Sequence, residues 1–123
     1  MREAIAGVTP AGPYSPGILA EGRFLFVSGQ GPNVDGKLVL GTIEEETELT
    51  LRNVGAILEQ AGAGYADVVR CGVFLADLDD FAGMNAVYEQ FFPVPRPART
   101  TVGCRLLGMK VEIDCVALLP SVA

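Results

Sequence analysis

The order of apolar segments along this chain predicts an α+β fold, with two helices packed on one face of a single, mostly antiparallel sheet. Two observations support the prediction. Short apolar runs of strand length precede, separate and follow two stretches with helical periodicity, and only short loops connect these segments. The chain has 123 residues, so we expect residues 1–123 to form one domain.

The first buried strand is predicted at residues 23–27, a continuous apolar run. Before it, residues 11–17 combine glycine and proline densely enough to predict a tight loop, which presents the large side chain of Tyr14. After it, Ser28 and Gly29 begin a turn whose backbone can approach another group closely, because glycine has no side chain. The alternatives remain open that Tyr14 only anchors the loop and that Ser28 and Gly29 form an ordinary turn.

Two helices are predicted from capping residues and periodicity. Thr42 is a candidate N-cap, acidic residues follow it, and apolar residues then recur at helical spacing. A β-rich strand at residues 68–75 separates this helix from the second one, which begins after an aspartate-rich segment at residues 77–80. We interpret the acidic run as capping and solvent-exposed, and the apolar stripe of the second helix as core. Asn85 lies beside that stripe, where it meets either a ligand or solvent.

Three prolines at residues 93–97 precede Arg99, which begins the β-branched run of a strand predicted at residues 99–106. Each proline fixes its own φ angle and biases the preceding residue toward extended geometry. A guanidinium at the mouth of a strand is well placed to form two hydrogen bonds with one carboxylate. An ordinary ion pair on the surface remains open as the alternative for this arginine.

The last strand is predicted at residues 109–119, after a two-residue turn. Side chains alternate between the faces of a strand, and the apolar residues suit the helix-covered face, so Arg99, Thr101 and Glu112 are expected on the opposite face. In a hairpin of this kind Glu112 pairs with Gly103, which leaves it about 13 Å from Arg99. We therefore expect Glu112 and Arg99 to reach one cleft from different subunits.

Composition restricts the function classes. The hydrophobic fraction is 50% and the mean hydropathy is +0.36, yet no apolar run has the length of a membrane span, so self-association is expected to bury the excess. The net charge of −6 argues against nucleic acid as a partner. Histidine is absent, which removes the usual zinc sites and histidine-dependent nucleophiles. Three widely spaced cysteines in apolar segments are interpreted as reduced core residues of a cytoplasmic protein.

Short pieces of sequence, spread over nearly the whole chain, occur in the order typical of one known family. They are Gly12-Pro13-Tyr14, Ser28-Gly29-Gln30, Asn53-Val54, Val73-Phe74-Leu75, Asp77-Leu78-Asp79-Asp80-Phe81, Asn85, Tyr88-Glu89-Gln90-Phe91-Phe92, Pro97-Ala98-Arg99 and Lys110-Val111-Glu112-Ile113. In these pieces the chain resembles the Rid family, also called the YjgF family, of reactive-intermediate deaminases.

The resemblance implies a chorismate-mutase-like fold that forms a homotrimer, with three ligand clefts at the subunit interfaces. It implies an enzyme that hydrolyses 2-imino or enamine acids, such as 2-aminoacrylate and 2-aminocrotonate, to 2-oxo acids and ammonia. No metal and no cofactor are implied. A protein that only binds 2-oxo acids, or a chaperone-like protein, is the alternative from a different class, and an endoribonuclease is a third that the acidic charge disfavours.

The resemblance also implies a role for each matching residue. Arg99 would bind the substrate carboxylate, and Glu112 would position or activate the attacking water. A larger set would line or close the pocket: Tyr14, Ser28, the Gly29 backbone, Asn85 and Tyr88. Thr101 stands where the family often has cysteine, so its backbone N–H is the expected contact. The loop from Gly103 to Met109 is shorter than in well-known members, which bears on substrate preference.

Overall fold

The computed structural model describes residues 1–121. The strands and α-helices of that part of the chain, in order, are β1 (Arg2–Ile5), β2 (Gly17–Ala20), β3 (Phe24–Gln30), β4 (Asn33–Val34), β5 (Lys37–Leu38), α1 (Ile43–Gln60), β6 (Val68–Leu75), α2 (Phe81–Phe91), β7 (Ala98–Gly103) and β8 (Val111–Leu118). This order confirms the predicted α+β class.

The main sheet has four strands in the order β3-β8-β6-β7. β8 pairs antiparallel with both β3 and β6, whereas β6 and β7 are parallel. The two helices pack on one face of this sheet, as predicted, and enclose a core of residues from both helices and the central strands. The remaining strands form two separate ribbons outside the main sheet, β1 with β2 and β4 with β5.

The predicted hairpin between the last two strands is wrong, because β7 and β8 lie on opposite sides of β6. α2 returns the chain before β7, which therefore enters parallel to β6. The chain then passes around the end of β6. Cys104 N–H donates to Leu75 O (2.9 Å) on one side, and Ala76 N–H donates to Lys110 O (3.0 Å) on the other. Glu112 consequently pairs with Phe74.

The predicted side-chain parity is correct for β8 and wrong for β7. Val111, Ile113, Cys115 and Ala117 are buried in the core as expected. In β7, however, Arg99 pairs with buried Cys71 and lies on the helix-covered face, whereas Val102 is on the opposite face and 40% exposed. β7 is an edge strand, so its inward positions lie at the margin of the core, where a long polar side chain fits under a helix.

The start of α1 positions the start of β8. Thr42 is the N-cap, as predicted, and it forms a capping box with Glu45, in which each side chain accepts from the other residue's backbone N–H. Glu46 differs from the expected solvent-exposed acidic run, since it is 1% exposed. Its carboxylate accepts from Gly41 N–H (3.1 Å) and Lys110 N–H (2.8 Å), and it pairs with Lys110 Nζ (3.2 Å). Glu46 thus anchors Lys110, which lies two residues before Glu112.

All three cysteines are free thiols. Cys71 and Cys115 are buried neighbours on β6 and β8, and desolvation raises the pKa of both thiols, to about 12 for Cys115. Both are therefore uncharged core residues at neutral pH. Cys104 departs from the prediction, because it follows the end of β7 in the loop and is exposed.

Candidate active site

The segment before Arg99 is attached to the loop that carries Tyr14. Ser15 N–H donates to Pro97 O (3.1 Å), and the Ser15 hydroxyl donates to Arg96 O. Arg96 Nε in turn donates to Phe92 O (3.1 Å) at the end of α2. The proline-rich entry predicted from the sequence is thus fixed by hydrogen bonds to its carbonyl groups, and these bonds hold Tyr14 and Arg99 on one side of the molecule.

Arg99 is a buried cation surrounded by aromatic rings. It is 9% exposed, and its guanidinium carbon lies 5.0 Å from the Tyr14 ring centroid, 5.6 Å from Phe81 and 4.8 Å from Tyr88. The ion pairs within residues 1–121 join other residues, so no carboxylate compensates this charge. Desolvation lowers the pKa of Arg99, but a guanidinium remains protonated in proteins. A buried arginine is ordinarily paired with a carboxylate, and here the faces of aromatic rings contact the guanidinium instead.

The guanidinium is oriented so that one edge is unpartnered. Nη1 lies 3.9 Å from the sulfur of buried Met84, whereas Nε and Nη2 are buried without a hydrogen-bond partner among the described residues. Nε–H and Nη2–H lie on the same edge and form the fork that binds the two oxygens of a carboxylate. Helical spacing predicts that Met84 and Phe81 belong to the apolar core stripe of the second helix. Helical spacing alone does not show that the stripe also covers an arginine from another strand.

Other unpartnered polar atoms gather around Arg99. Eight buried side-chain atoms lack a hydrogen-bond partner in residues 1–121, and five of them belong to Arg99, Asn85, Tyr88 and Thr101. Gly12, for which the sequence predicts no role in the site, allows this convergence. A Cβ there would lie 3.0 Å from Arg99 Nη2 and 3.4 Å from Asn85 Nδ2. We call the group of Tyr14, Asn85, Tyr88, Arg99 and Thr101 the arginine half-site.

Tyr88 forms the floor of the arginine half-site rather than a lid over it. Its side chain is 0% exposed, and its hydroxyl lies beside the Cys71 thiol without a partner of good hydrogen-bond geometry among the described residues. Desolvation raises the pKa of Tyr88 well above its usual range, so the phenol is neutral. Tyr14 is half-buried in the loop, and its hydroxyl accepts from Ala11 N–H at 3.2 Å. The structure therefore brings Tyr14 and Asn85 to Arg99, with Tyr88 beneath, and Thr101 lies on the same face of β7.

Glu112, Ser28 and Gly29 form a second group, the glutamate half-site, on the other face of the sheet. A bulge between Val27 and Gln30 interrupts the pairing of β3 with β8, which leaves Ser28 and Gly29 outside the regular ladder. The Glu112 side chain lies over Gly29, where an added Cβ would be 2.8 Å from Glu112 Cδ. A side chain at this position would therefore displace the Glu112 carboxylate.

The two half-sites do not meet within one chain, because the sheet separates them. Arg99 lies on the helix-covered face, whereas Glu112 lies on the open face, which also carries Phe26 at 75% exposure and Val102 at 40%. A separate groove of about 340 Å³ lies between residues 10–16 and residues 94–96, and of the candidate residues only Tyr14 lines it.

No group of three or more His, Cys, Asp or Glu residues within 1–121 could hold a metal ion. In the same part of the chain, no helix combines the length and the apolar character needed to cross a membrane.

Comparison with known proteins places the chain in a family. A family model described as "Endoribonuclease L-PSP" matches residues 4–119. Protein mmf2 of Schizosaccharomyces pombe, named as mitochondrial, is 43% identical over 86% of this chain and 87% of its own length. A Capra hircus protein named 2-iminobutanoate/2-iminopropanoate deaminase is 40% identical over 87% of this chain and 80% of its own length.

A solved structure agrees with these sequence matches. The structure is a protein of unknown function of the Rid family from Yersinia pestis, with a TM-score of 0.83 and 29% identity. The match covers 96% of this chain and 98% of that one. The chain therefore belongs to the endoribonuclease L-PSP family, which is the Rid or YjgF family that its sequence resembles.

Proposed function

We propose that this protein hydrolyses reactive 2-imino acids and their enamine tautomers, such as 2-aminoacrylate and 2-aminocrotonate, to 2-oxo acids and ammonia. The observation that carries the proposal is the buried guanidinium of Arg99, which has two unpartnered donors on one edge and no carboxylate beside it. Such a group is complementary to a small carboxylic acid. The name of the goat relative supports the choice of reaction.

The chemistry requires little beyond positioning, because the C=N bond of an imine is already electrophilic. With the carboxylate on Arg99, a water molecule adds to C2, and the nitrogen takes up protons and leaves as ammonia while the C2 oxygen becomes a carbonyl. Glu112 would accept the proton from water and return it to the nitrogen. Holding the two reactants in place supplies much of the rate enhancement, so neither histidine nor a metal is required.

The cleft would be assembled from two copies of the chain, in a homotrimer as the family resemblance implies. Arg99 and Glu112 lie on opposite faces of one sheet, so one chain cannot present both to the same ligand. The open face that carries Glu112 also exposes Phe26 and Val102, apolar side chains that a neighbouring subunit would cover. Docking this face beside the arginine half-site of the next copy would complete one cleft per interface.

The test couples a serine or threonine dehydratase to this protein and follows 2-oxo acid and ammonia release. Arg99→Ala and Glu112→Gln chains are assayed separately and after unfolding and refolding together in equal amounts. Each variant alone is expected to be inactive. In a symmetric trimer with shared clefts, about one quarter of the clefts in the mixture regain both groups. A mixture as inactive as its components, with mixed oligomers verified, would contradict the two-chain cleft.

A protein that binds 2-oxo acids without catalysis is the second candidate. It is favoured by one observation, since the arginine half-site alone can bind a carboxylate and lies within a single chain. Glu112→Gln separates the two: a binder keeps its affinity for 2-oxobutanoate and has no turnover to lose, whereas the deaminase loses turnover. The endoribonuclease activity in the family description is opposed by the net charge of −6 and the absence of histidine.

The place of action is proposed separately. We propose the cytoplasm as the location, because all three cysteines are free thiols and a reducing compartment keeps thiols in that state. The relative mmf2 is named as mitochondrial, so fractionation of cells that produce the protein is the direct measurement.

A further inference from the structure

Thr101 carries a hydroxyl that the fold does not use. The residue lies in β7 two positions after Arg99, so both side chains project from the same face of the strand. Its Oγ1 atom is buried and has no hydrogen-bond partner among the described residues. The expected role of this residue, from the family resemblance, involves only its backbone N–H.

An unpartnered buried hydroxyl is unfavourable in the free protein. Burial removes its hydrogen bonds to water and here returns none, whereas valine has the same shape without that cost. Unpartnered buried hydroxyls also occur at Thr47 and Thr50 in α1, so the hydroxyl of Thr101 indicates a bound state only together with its neighbours. The same reasoning applies to the free edge of Arg99, two residues away on the same face.

We propose that the Thr101 hydroxyl binds the substituent on C2 of the acid whose carboxylate is held by Arg99, an inference that rests on the proposed function. A step of two residues along a strand is about 6.6 Å, and the long arginine side chain shortens the separation of the polar ends. A short acid with its carboxylate on the guanidinium can therefore bring its C2 group within reach of Thr101.

A hydroxyl suits both ends of the reaction. It accepts from an imine or iminium N–H in the substrate, and it donates to the carbonyl oxygen of the 2-oxo product. The arginine half-site would then recognise two features of its ligand, the carboxylate through Arg99 and a polar C2 group through Thr101. Acids that carry only hydrogen at C2 would satisfy the first contact and leave the second unmade.

The experiment compares two ligands on three proteins. Binding of 2-oxobutanoate and of butanoate, which lacks the C2 oxygen, is measured by calorimetry on the full-length wild type, Thr101→Val and Thr101→Ser. The wild type is expected to prefer 2-oxobutanoate. Thr101→Val should weaken 2-oxobutanoate binding about tenfold and leave butanoate binding unchanged, because one hydrogen bond is lost. Thr101→Ser, which keeps a hydroxyl, should retain most of the wild-type preference for 2-oxobutanoate over butanoate.

Thermal unfolding of the same variants provides a readout that separates binding from structure. Thr101→Val should melt at the same or a higher temperature than the wild type, because it removes an unpartnered hydroxyl. Equal losses for both ligands, or an unchanged preference in Thr101→Val, would overturn the proposal. A wild type that binds 2-oxobutanoate selectively but releases no ammonia would contradict the proposed hydrolysis while leaving the role of Thr101 supported. Binding of neither acid would overturn both.

Discussion

The two half-sites are built in opposite ways. Around Arg99, side chains from a loop, a helix and a strand enclose a charge, and the polar atoms of the helix and strand residues lack partners although they are buried. Around Glu112, a single side chain lies on an open sheet face over a glycine, beside backbone that a bulge has released from pairing. The first is organised within one chain, and the second would gain enclosure from another copy in the proposed assembly. Binding and catalysis should therefore respond separately to substitution.

The largest effect is expected for Arg99→Ala, which removes the carboxylate contact. We expect kcat/KM for imine hydrolysis to fall about 100- to 1,000-fold, the range for loss of one partner of a buried charge pair. The melting temperature should not fall, because the free chain loses a cation that no carboxylate compensates. Arg105→Ala, a change at an exposed arginine of the following loop, is the control. A near-normal rate in Arg99→Ala would refute the carboxylate clamp.

A smaller effect, confined to catalysis, is expected for Gly29→Ala. The new methyl group must displace the Glu112 side chain, so kcat should fall about 10- to 100-fold, as for misplaced catalytic groups. Affinity for 2-oxobutanoate should stay within about twofold, because Arg99 is not disturbed. Gly64→Ala is the matched control, since a Cβ there meets no neighbour. An unchanged kcat would show that the placement of Glu112 over Gly29 is unimportant.

The smallest effect is expected for Phe81→Leu, which removes one of three rings around the guanidinium. A cation–π contact of about 0.5–1 kcal/mol corresponds to a two- to fivefold rise in KM, with kcat nearly unchanged. Phe91→Leu is a suitable control, because the Phe91 ring packs on Tyr65 and lies near Arg52 rather than Arg99. If both variants change KM equally, general packing rather than the guanidinium contact is responsible.

Local features of the fold could be predicted from the sequence because they depend on neighbouring residues. Thr42 and Glu45 form their capping box within one turn, and the stripe that contains Met84 and Tyr88 is buried as its spacing indicated. The candidate residues of the arginine half-site could also be singled out from the sequence. Their types, an arginine after prolines and an asparagine beside a stripe, are unusual enough to single out.

Long-range features could not be predicted in the same way. The face occupied by Arg99 was inferred from Val102, on the assumption that an apolar side chain points to the core, but Val102 lies on an edge strand and is 40% exposed. The partner of β7 depends on how residues 104–110 pass the end of β6, which a turn signal at Gly108 does not reveal. The burial of Glu46 depends on Lys110, 64 residues away.

The bulge in β3 has a consequence for solubility. β3 is an edge strand with a strongly exposed phenylalanine, a combination that invites open-ended strand addition and fibre growth. A bulge bends and twists a strand, so the one between Val27 and Gln30 disfavours regular addition of a second chain along the whole of β3. We therefore expect the irregularity that exposes Ser28 and Gly29 to oppose aggregation as well, so a substitution that regularised this strand would threaten both properties at once.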